Sequence, residues 1–166
     1  YDFHQDDFSA PITVWNGDSY VAYNPIDDEC HLRPYEAFFV QKPNDIYQIG
    51  FNEERRETYR QSEQKKVYQV RARRIRGLNA QRLLMNLYIT NNNTSIIDRT
   101  RVVLNEKAQH AYELECDAAK FLSTSAAAQL YSVENGVQMA INERPQQGDI
   151  RLGYVAKNAG RLSIRS

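Results

Sequence analysis

Cysteine is scarce. The chain of 166 residues has only Cys30 and Cys116, and it has no Cys-x-x-Cys motif. A thiol-rich zinc site therefore cannot be built from this sequence alone. The pair can form at most one disulfide, which for so long a loop would add about 4–5 kcal/mol in the chain-entropy model; separate thiols are the alternative. Charge of one sign is also missing, because 21 Lys and Arg balance 21 Asp and Glu. A neutral chain has no broad positive field to draw in nucleic acid or an anionic membrane, so neither is expected as a partner. No apolar run approaches the ~20 residues of a membrane-spanning helix. There is no Gly-x-Ser-x-Gly elbow and no phosphate-cradling glycine loop, which are the usual marks of an activated serine or a nucleotide site. No cofactor, metal or enzymatic activity is expected on these grounds. The chain starts at Tyr1 with no targeting segment, and the expectation is a fragment or processed chain with sequence missing before residue 1.

What is present is a globular composition. Hydrophobic residues make up 42% and charged residues 25%, and a chain of this length buries roughly 70% of its unfolded surface, enough for one core. We read residues 1–166 as a single domain. Eleven tyrosines accompany one tryptophan; tyrosine suits strands because its ring packs on a pleated surface while its hydroxyl reaches water.

Period-two alternation recurs along the chain. Ile12–Trp15 and Tyr20–Tyr23 flank Asn16-Gly17-Asp18-Ser19, a hairpin signal because Asn and Gly tolerate positive φ. The loop there is of two or four residues. Residues 37–41 and 46–51 read as strands, residues 52–66 as a charged exposed loop or arm with a short helix as the rival, and residues 67–75 as a strand. Met85, Leu87 and Ile89 share one strand face, and Val102 and Leu104 share another. Asp117 is placed to cap a short helix over residues 117–121. A second hairpin turns at Asn135-Gly136, and Leu152 and Leu162 lie in the last strands. The expected core is Met85, Leu87, Ile89, Val102, Leu104, Met139, Ile141, Leu152 and Leu162. Strict alternation means one buried and one wet face. The expected fold is all-β: an antiparallel, jelly-roll-like β-sandwich of about nine or ten short strands with at most one or two short helices; a closed barrel is the rival.

Candidate sites are few. Cys30 and His31 are adjacent, but neighbours on a strand point to opposite faces, which is poor geometry for a nucleophile and its base; His4 and His110 are the other histidines. Asp6, Asp7, Asp27, Asp28, Glu29, Glu53 and Glu54 are acids in loops, and Asp27-Asp28-Glu29 lacks a calcium-binding spacing. Arg71, Arg73, Arg74 and Arg76 form a basic cluster able to grip phosphate or sulfated sugar, or to pair with the acids of residues 53–63. Trp15, Asn16, Tyr20 and Tyr23, around the first hairpin, make a candidate glycan platform, since an exposed ring stacks on a sugar's C–H face. The competing role for Trp15 is packing against Phe38 or Phe39.

Several segments follow one another in a recurrent order. They are Ile12-Thr13-Val14-Trp15-Asn16-Gly17, Tyr20-Val21-Ala22-Tyr23, Ala37-Phe38-Phe39-Val40-Gln41 and Arg82-Leu83-Leu84-Met85-Asn86-Leu87. Asp98-Arg99-Thr100-Arg101-Val102-Val103-Leu104, Asp117-Ala118-Ala119-Lys120 and Leu130-Tyr131-Ser132 follow. The series closes with Met139-Ala140-Ile141-Asn142-Glu143-Arg144-Pro145, Ile150-Arg151-Leu152-Gly153 and Gly160-Arg161-Leu162-Ser163-Ile164. In this order the segments resemble a module of Bacteroidetes surface and secreted proteins, and the charged stretch 52–66 departs from that pattern. The resemblance implies a β-sandwich near the C-terminus of a large exported protein, often before a type IX secretion sorting domain, with no catalytic motif to transfer. It implies a structural, spacer or accessory role at the cell surface or outside the cell, with other domains of the same polypeptide as partners. Carbohydrate binding is the alternative function.

Overall fold

The structure, a computed structural model, describes residues 2–3, 10–28, 30–41, 82–91, 95–157 and 161–166. The fold is all-β, and no helix occurs among the described residues. In chain order the strands are β1 (Asp2–Phe3), β2 (Ile12–Trp15), β3 (Tyr20–Tyr23), β4 (Cys30–His31), β5 (Phe38–Val40) and β6 (Arg82–Thr90), then β7 (Ile96–Asn105), β8 (Ala118–Ala119), β9 (Ala128–Glu134), β10 (Val137–Arg144), β11 (Arg151–Ala156) and β12 (Ser163–Arg165). A large sheet runs β11-β9-β10-β7-β6-β12, with β8 added on β10. A three-stranded sheet runs β3-β2-β5, and β1 pairs with β4. The strands expected at residues 46–51 and 67–75, and the charged stretch 52–66, lie outside the described residues.

Both hairpins follow from their turn residues. In the first, Trp15 pairs with Tyr20, so the loop has four residues. Gly17 takes φ 108°, and the Asn16 side-chain oxygen accepts the amides of Asp18 and Ser19 at 3.0 and 2.9 Å. In the second, Glu134 pairs with Val137, leaving Asn135 and Gly136 at φ 48° and 83°. Positive φ at both central residues is the type I′ geometry that suits the twist of the flanking strands.

Three expectations are corrected. The β7–β10 pair is parallel, with Ile141 beside Arg101 and Glu143 beside Val103, so the large sheet is mixed rather than purely antiparallel. Residues 118–119 form β8 on β10, not the start of a helix. There the Asp117 carboxylate accepts the amides of Glu113 and Glu143 at 2.8 and 2.7 Å, tying two separate segments instead of capping a helix. The rule of one wet face also fails for β7, where residues 98–103 are all buried. A central strand covered on both sides buries both sets of side chains.

The core forms three clusters. Ile12 and Val14 pack with Ala10, Cys30 and Leu32 inside the small sheet. Ala22 of β3 packs on Ala118, Ala140 and Ile141, which docks the small sheet on the large one. Ile89, Ala128 and Leu130 join Leu87, Ile97 and Leu162. Of the expected core, Ile89, Val102, Met139 and Ile141 are fully buried. Met85, Leu87, Leu104 and Leu162 are half-buried, and Leu152 is 40% exposed. Leu152 lies on β11, an edge strand that pairs only with β9 and is exposed along nearly all its length. Ile141→Ala is therefore expected to cost about 2–5 kcal/mol in a urea melt, and Leu152→Ala less than about 0.5 kcal/mol. Equal losses at the two positions would mean that the edge strand is covered in solution.

Candidate functional site

Trp15, Tyr20 and Tyr23 do not form one surface. On paired strands, Trp15 faces Tyr20 while Tyr23 sits opposite Ile12, and period two sends those two sets to opposite sides of the small sheet. Tyr23 packs against the cluster around Ile12 and Val14. The Arg99 guanidinium carbon lies 5.5 Å from the centroid of its ring, a buried cation–π contact. Asn16 is exposed, but its oxygen is committed to the turn. Trp15 is half-buried, and its ring lies 4.9 Å from that of Tyr20. Tyr20 in turn meets Phe39 and Phe121 edge-on at 5.9 and 5.8 Å, and Phe39 meets Phe121 at 5.3 Å. The tilted and T-shaped geometries are those that aromatic quadrupoles favour. Phe39 and Phe121 remain 48% and 40% exposed. The patch is thus Trp15, Tyr20, Phe39 and Phe121, rather than the four residues expected around the hairpin. Phe121 comes from a segment about a hundred residues away, which only folding brings alongside.

A second constellation was not anticipated: a buried, charge-balanced network. Arg101, with a side chain 1% exposed, donates to both oxygens of Asp28 at 2.6 Å and to Asn86 at 2.9 Å. Arg82 donates to Asp27 at 2.5 and 3.0 Å and to Glu143 at 2.6 Å, while Asn105 donates to the other oxygen of Glu143 at 2.6 Å. Arg99 donates to the backbone oxygen of Ala22 at 2.7 Å and lies 3.8 Å from Asp28. A separate pair, Lys120 with Asp98 at 2.6 Å, is fully buried, and Asp98 also accepts the Leu130 amide at 2.8 Å. Burial lowers the pKa of Arg99 and of Lys120, with the neighbouring carboxylates opposing it. Burial also opposes the charge of Arg82, but hydrogen bonds and charge from Asp27 and Glu143 outweigh it and raise its pKa. The usable signal was the coincidence of Asp27-Asp28 in a loop with Arg99 and Arg101 two apart on a strand.

The remaining candidates divide. Asp27 and Asp28 are engaged by arginines rather than free for calcium, and Glu29 lies outside the described residues. Asn24 is buried and holds the same loop, its amide donating to Asp28 at 2.9 Å and its side-chain oxygen accepting the amide of Ile26. Cys30 and Cys116 are free thiols, each pushed up to about 12, chiefly by burial, which makes both poor nucleophiles near neutrality. His31 is exposed next to buried Cys30. The His110 ring lies 2.6 Å from Glu134, which also pairs with Arg144 at 3.0 Å. His4, Asp6, Asp7, Glu53, Glu54 and the Arg71, Arg73, Arg74 and Arg76 cluster lie outside the described residues. Among the described residues, no group of His, Cys, Asp and Glu could hold a metal ion, and no helix is long and apolar enough to cross a membrane. Comparison with known proteins finds no matching family model, no matching curated protein and no matching solved structure.

The network makes two predictions. Asp28→Ala strands the Arg101 charge in the interior and should cost about 3–5 kcal/mol in a urea melt. The double substitution Asp28→Leu with Arg101→Met should recover much of that loss, since a packed apolar pair avoids the desolvation of both ions. No recovery would mean that Asn86 and Arg99 depend on the pair. The second concerns Asp117, whose carboxyl is raised from 3.8 to about 6, chiefly by burial, with the Glu113 and Glu143 amides opposing the shift. Between those values the folded protein holds a proton that the unfolded chain has released, so the contribution of Asp117 to stability falls as pH rises through that window. In paired urea melts the wild type should lose stability relative to Asp117→Asn between about pH 4 and about pH 7. A relative gain would show that the amide hydrogen bonds, not burial, govern this carboxyl.

Proposed function

We propose that this chain is a non-catalytic structural or accessory module of a larger exported polypeptide, of the kind its ordered segments resemble in surface and secreted proteins of Bacteroidetes. The observation that supports this reading is the use to which its charged side chains are put. Arg82, Arg99, Arg101, Asp27, Asp28 and Glu143 turn inward on one another and join the loop after β3 to the large sheet. Groups committed to bracing a scaffold are not available to a substrate, and a braced domain suits a spacer between other domains.

Carbohydrate binding is the second reading, and the half-open ring patch favours it. Phe39 and Phe121 present faces that can take a sugar's C–H surface, backed by Trp15 and Tyr20. A shallow patch buries little area, so affinity is expected on the order of 0.1–1 mM. The test is a panel of polysaccharides assayed for both turnover and binding, with Trp15 emission as reporter. The expected result is no reducing-end release, and weak binding to some panel member that Phe39→Ala and Phe121→Ala abolish. Hydrolysis of any panel member would overturn the module reading. Binding that survives both substitutions would remove the ring patch.

A further inference from the structure

Lys120 and Asp98 pair outside the arginine network. Lys120 directly follows β8, and Asp98 belongs to β7, 22 residues earlier. The β8 backbone pairs with β10, and the lysine side chain reaches across to β7. Its Nζ lies 2.6 Å from Oδ2 of Asp98, and the two side chains are 1% and 0% exposed. Asp98 stands opposite Ile89 in the β6–β7 pair, and Ile89 packs with Ala128 and Leu130. The pair therefore borders an apolar cluster and is closed to solvent.

The two oxygens of Asp98 are placed differently. Oδ2 accepts from Lys120 Nζ and, at 2.8 Å, from the Leu130 amide. Oδ1 is buried and has no hydrogen-bond partner among the described residues. Nζ also reaches the Arg99 backbone oxygen at 3.4 Å. An ion pair in a dry site loses the hydration of both charges, and an acceptor without a donor adds to that cost. Burial lowers the pKa of Lys120 against the opposing charge of Asp98, which favours the free amine. A neutral lysine amine is a nucleophile, and here Nζ is hydrogen-bonded to an oxygen attached directly to the carboxyl carbon, Cγ. Held proximity of this kind replaces a bimolecular encounter, with effective molarities that reach about 10⁵–10⁸ M in well-oriented cases.

We propose that Lys120 and Asp98 condense into an amide that covalently ties the β8 segment to β7. Nζ attacks Cγ, and the N–C bond forms. Oδ2 takes the developing negative charge and meets the Leu130 amide, which acts as an oxyanion donor. The Cγ–Oδ1 bond then breaks. Two of the three ammonium protons leave with Oδ1 as water, and the third stays on the amide nitrogen. One positive and one negative charge vanish together, and no other reactant is consumed. In the product Oδ2 keeps its hydrogen bond from Leu130, the amide N–H faces the Arg99 carbonyl, and the unpartnered oxygen is gone. Exclusion of water slows the reverse hydrolysis. The protons pass directly between Nζ and the carboxyl, so the bond accumulates with time after folding rather than at once. The cross-link is internal to the chain and independent of both the module and the glycan readings.

The test follows the intact mass of the whole chain from purification through ageing at a raised temperature below its melting transition. Folded wild type should become lighter by one water molecule. Chain aged in denaturant should keep its full mass, because the pair exists only in the fold. Trypsin should then fail to cut after Lys120, and should release the peptide ending at Arg99 joined to the one that spans Lys120. Lys120→Arg keeps the positive charge but removes the amine, so it should keep its full mass. The wild-type mass and the joined peptide decide the matter even where that variant does not fold. Full wild-type mass after ageing would overturn the proposal. So would a lost water that maps to other residues, or one lost equally fast in denaturant or in the Lys120→Arg chain.

Discussion

The Arg101–Asp28 pair sits where the parts of this fold meet. Asp28 belongs to the loop that leaves the small sheet, and Arg101 belongs to β7, the strand with β6 on one side and β10 on the other. Coulomb attraction in so dry a place is strong, but the cost of stripping water from both ions is comparable, so the net stabilisation is small while the cost of breaking the pair is large. Such a contact acts more on specificity than on depth of the energy minimum. A one-residue slip of β7 would exchange the face carrying Arg99 and Arg101 for the face carrying Thr100 and Val102. Asp28 would then face a hydroxyl and a methyl pair, and Ala22 would lose the guanidinium that caps its carbonyl. The register of the central strand and the docking of the small sheet are therefore one decision.

The same bracing shapes what is left at the surface. The chain has as many basic as acidic residues, and part of that balance lies inside, where carboxylate and guanidinium meet at hydrogen-bonding distance. The described surface instead offers a half-open group of rings. The proposed ring patch is therefore on the exterior, away from the charges that brace the interior. Cys30 and Cys116, with thiol pKa values raised by burial, hold little thiolate at neutral pH.

Local patterns were legible where the chain's own neighbours settle the outcome. The Asn-Gly turns, the strands around Met139 and Ile141, and the burial of Ile89 and Val102 follow from backbone preferences and alternation within a few residues. The strand Arg101 occupies was also legible, but its interior charge was not. Alternation of polar and apolar residues is the same whether the polar face meets water or a second layer that supplies opposite charges. The same ambiguity misplaced Leu152, which has the pattern of a core residue but lies on an edge strand with too little above it to bury it.

The sequence by itself determined that this is an all-β chain, where its hairpins turn, and that it carries no excess of charge, because those properties depend on residue chemistry and on contacts between near neighbours. The tertiary structure alone decided the parallel pairing of β7 with β10, the use of Asp117 as a bridge rather than a cap, and the company of each charged group. It also moved Tyr23 away from Trp15 and Tyr20 and brought Phe39 and Phe121 to them. The physical reason is common to all of these. Each depends on which strands lie beside or above one another, and contacts between residues distant in the chain leave no periodic trace in the order of the residues.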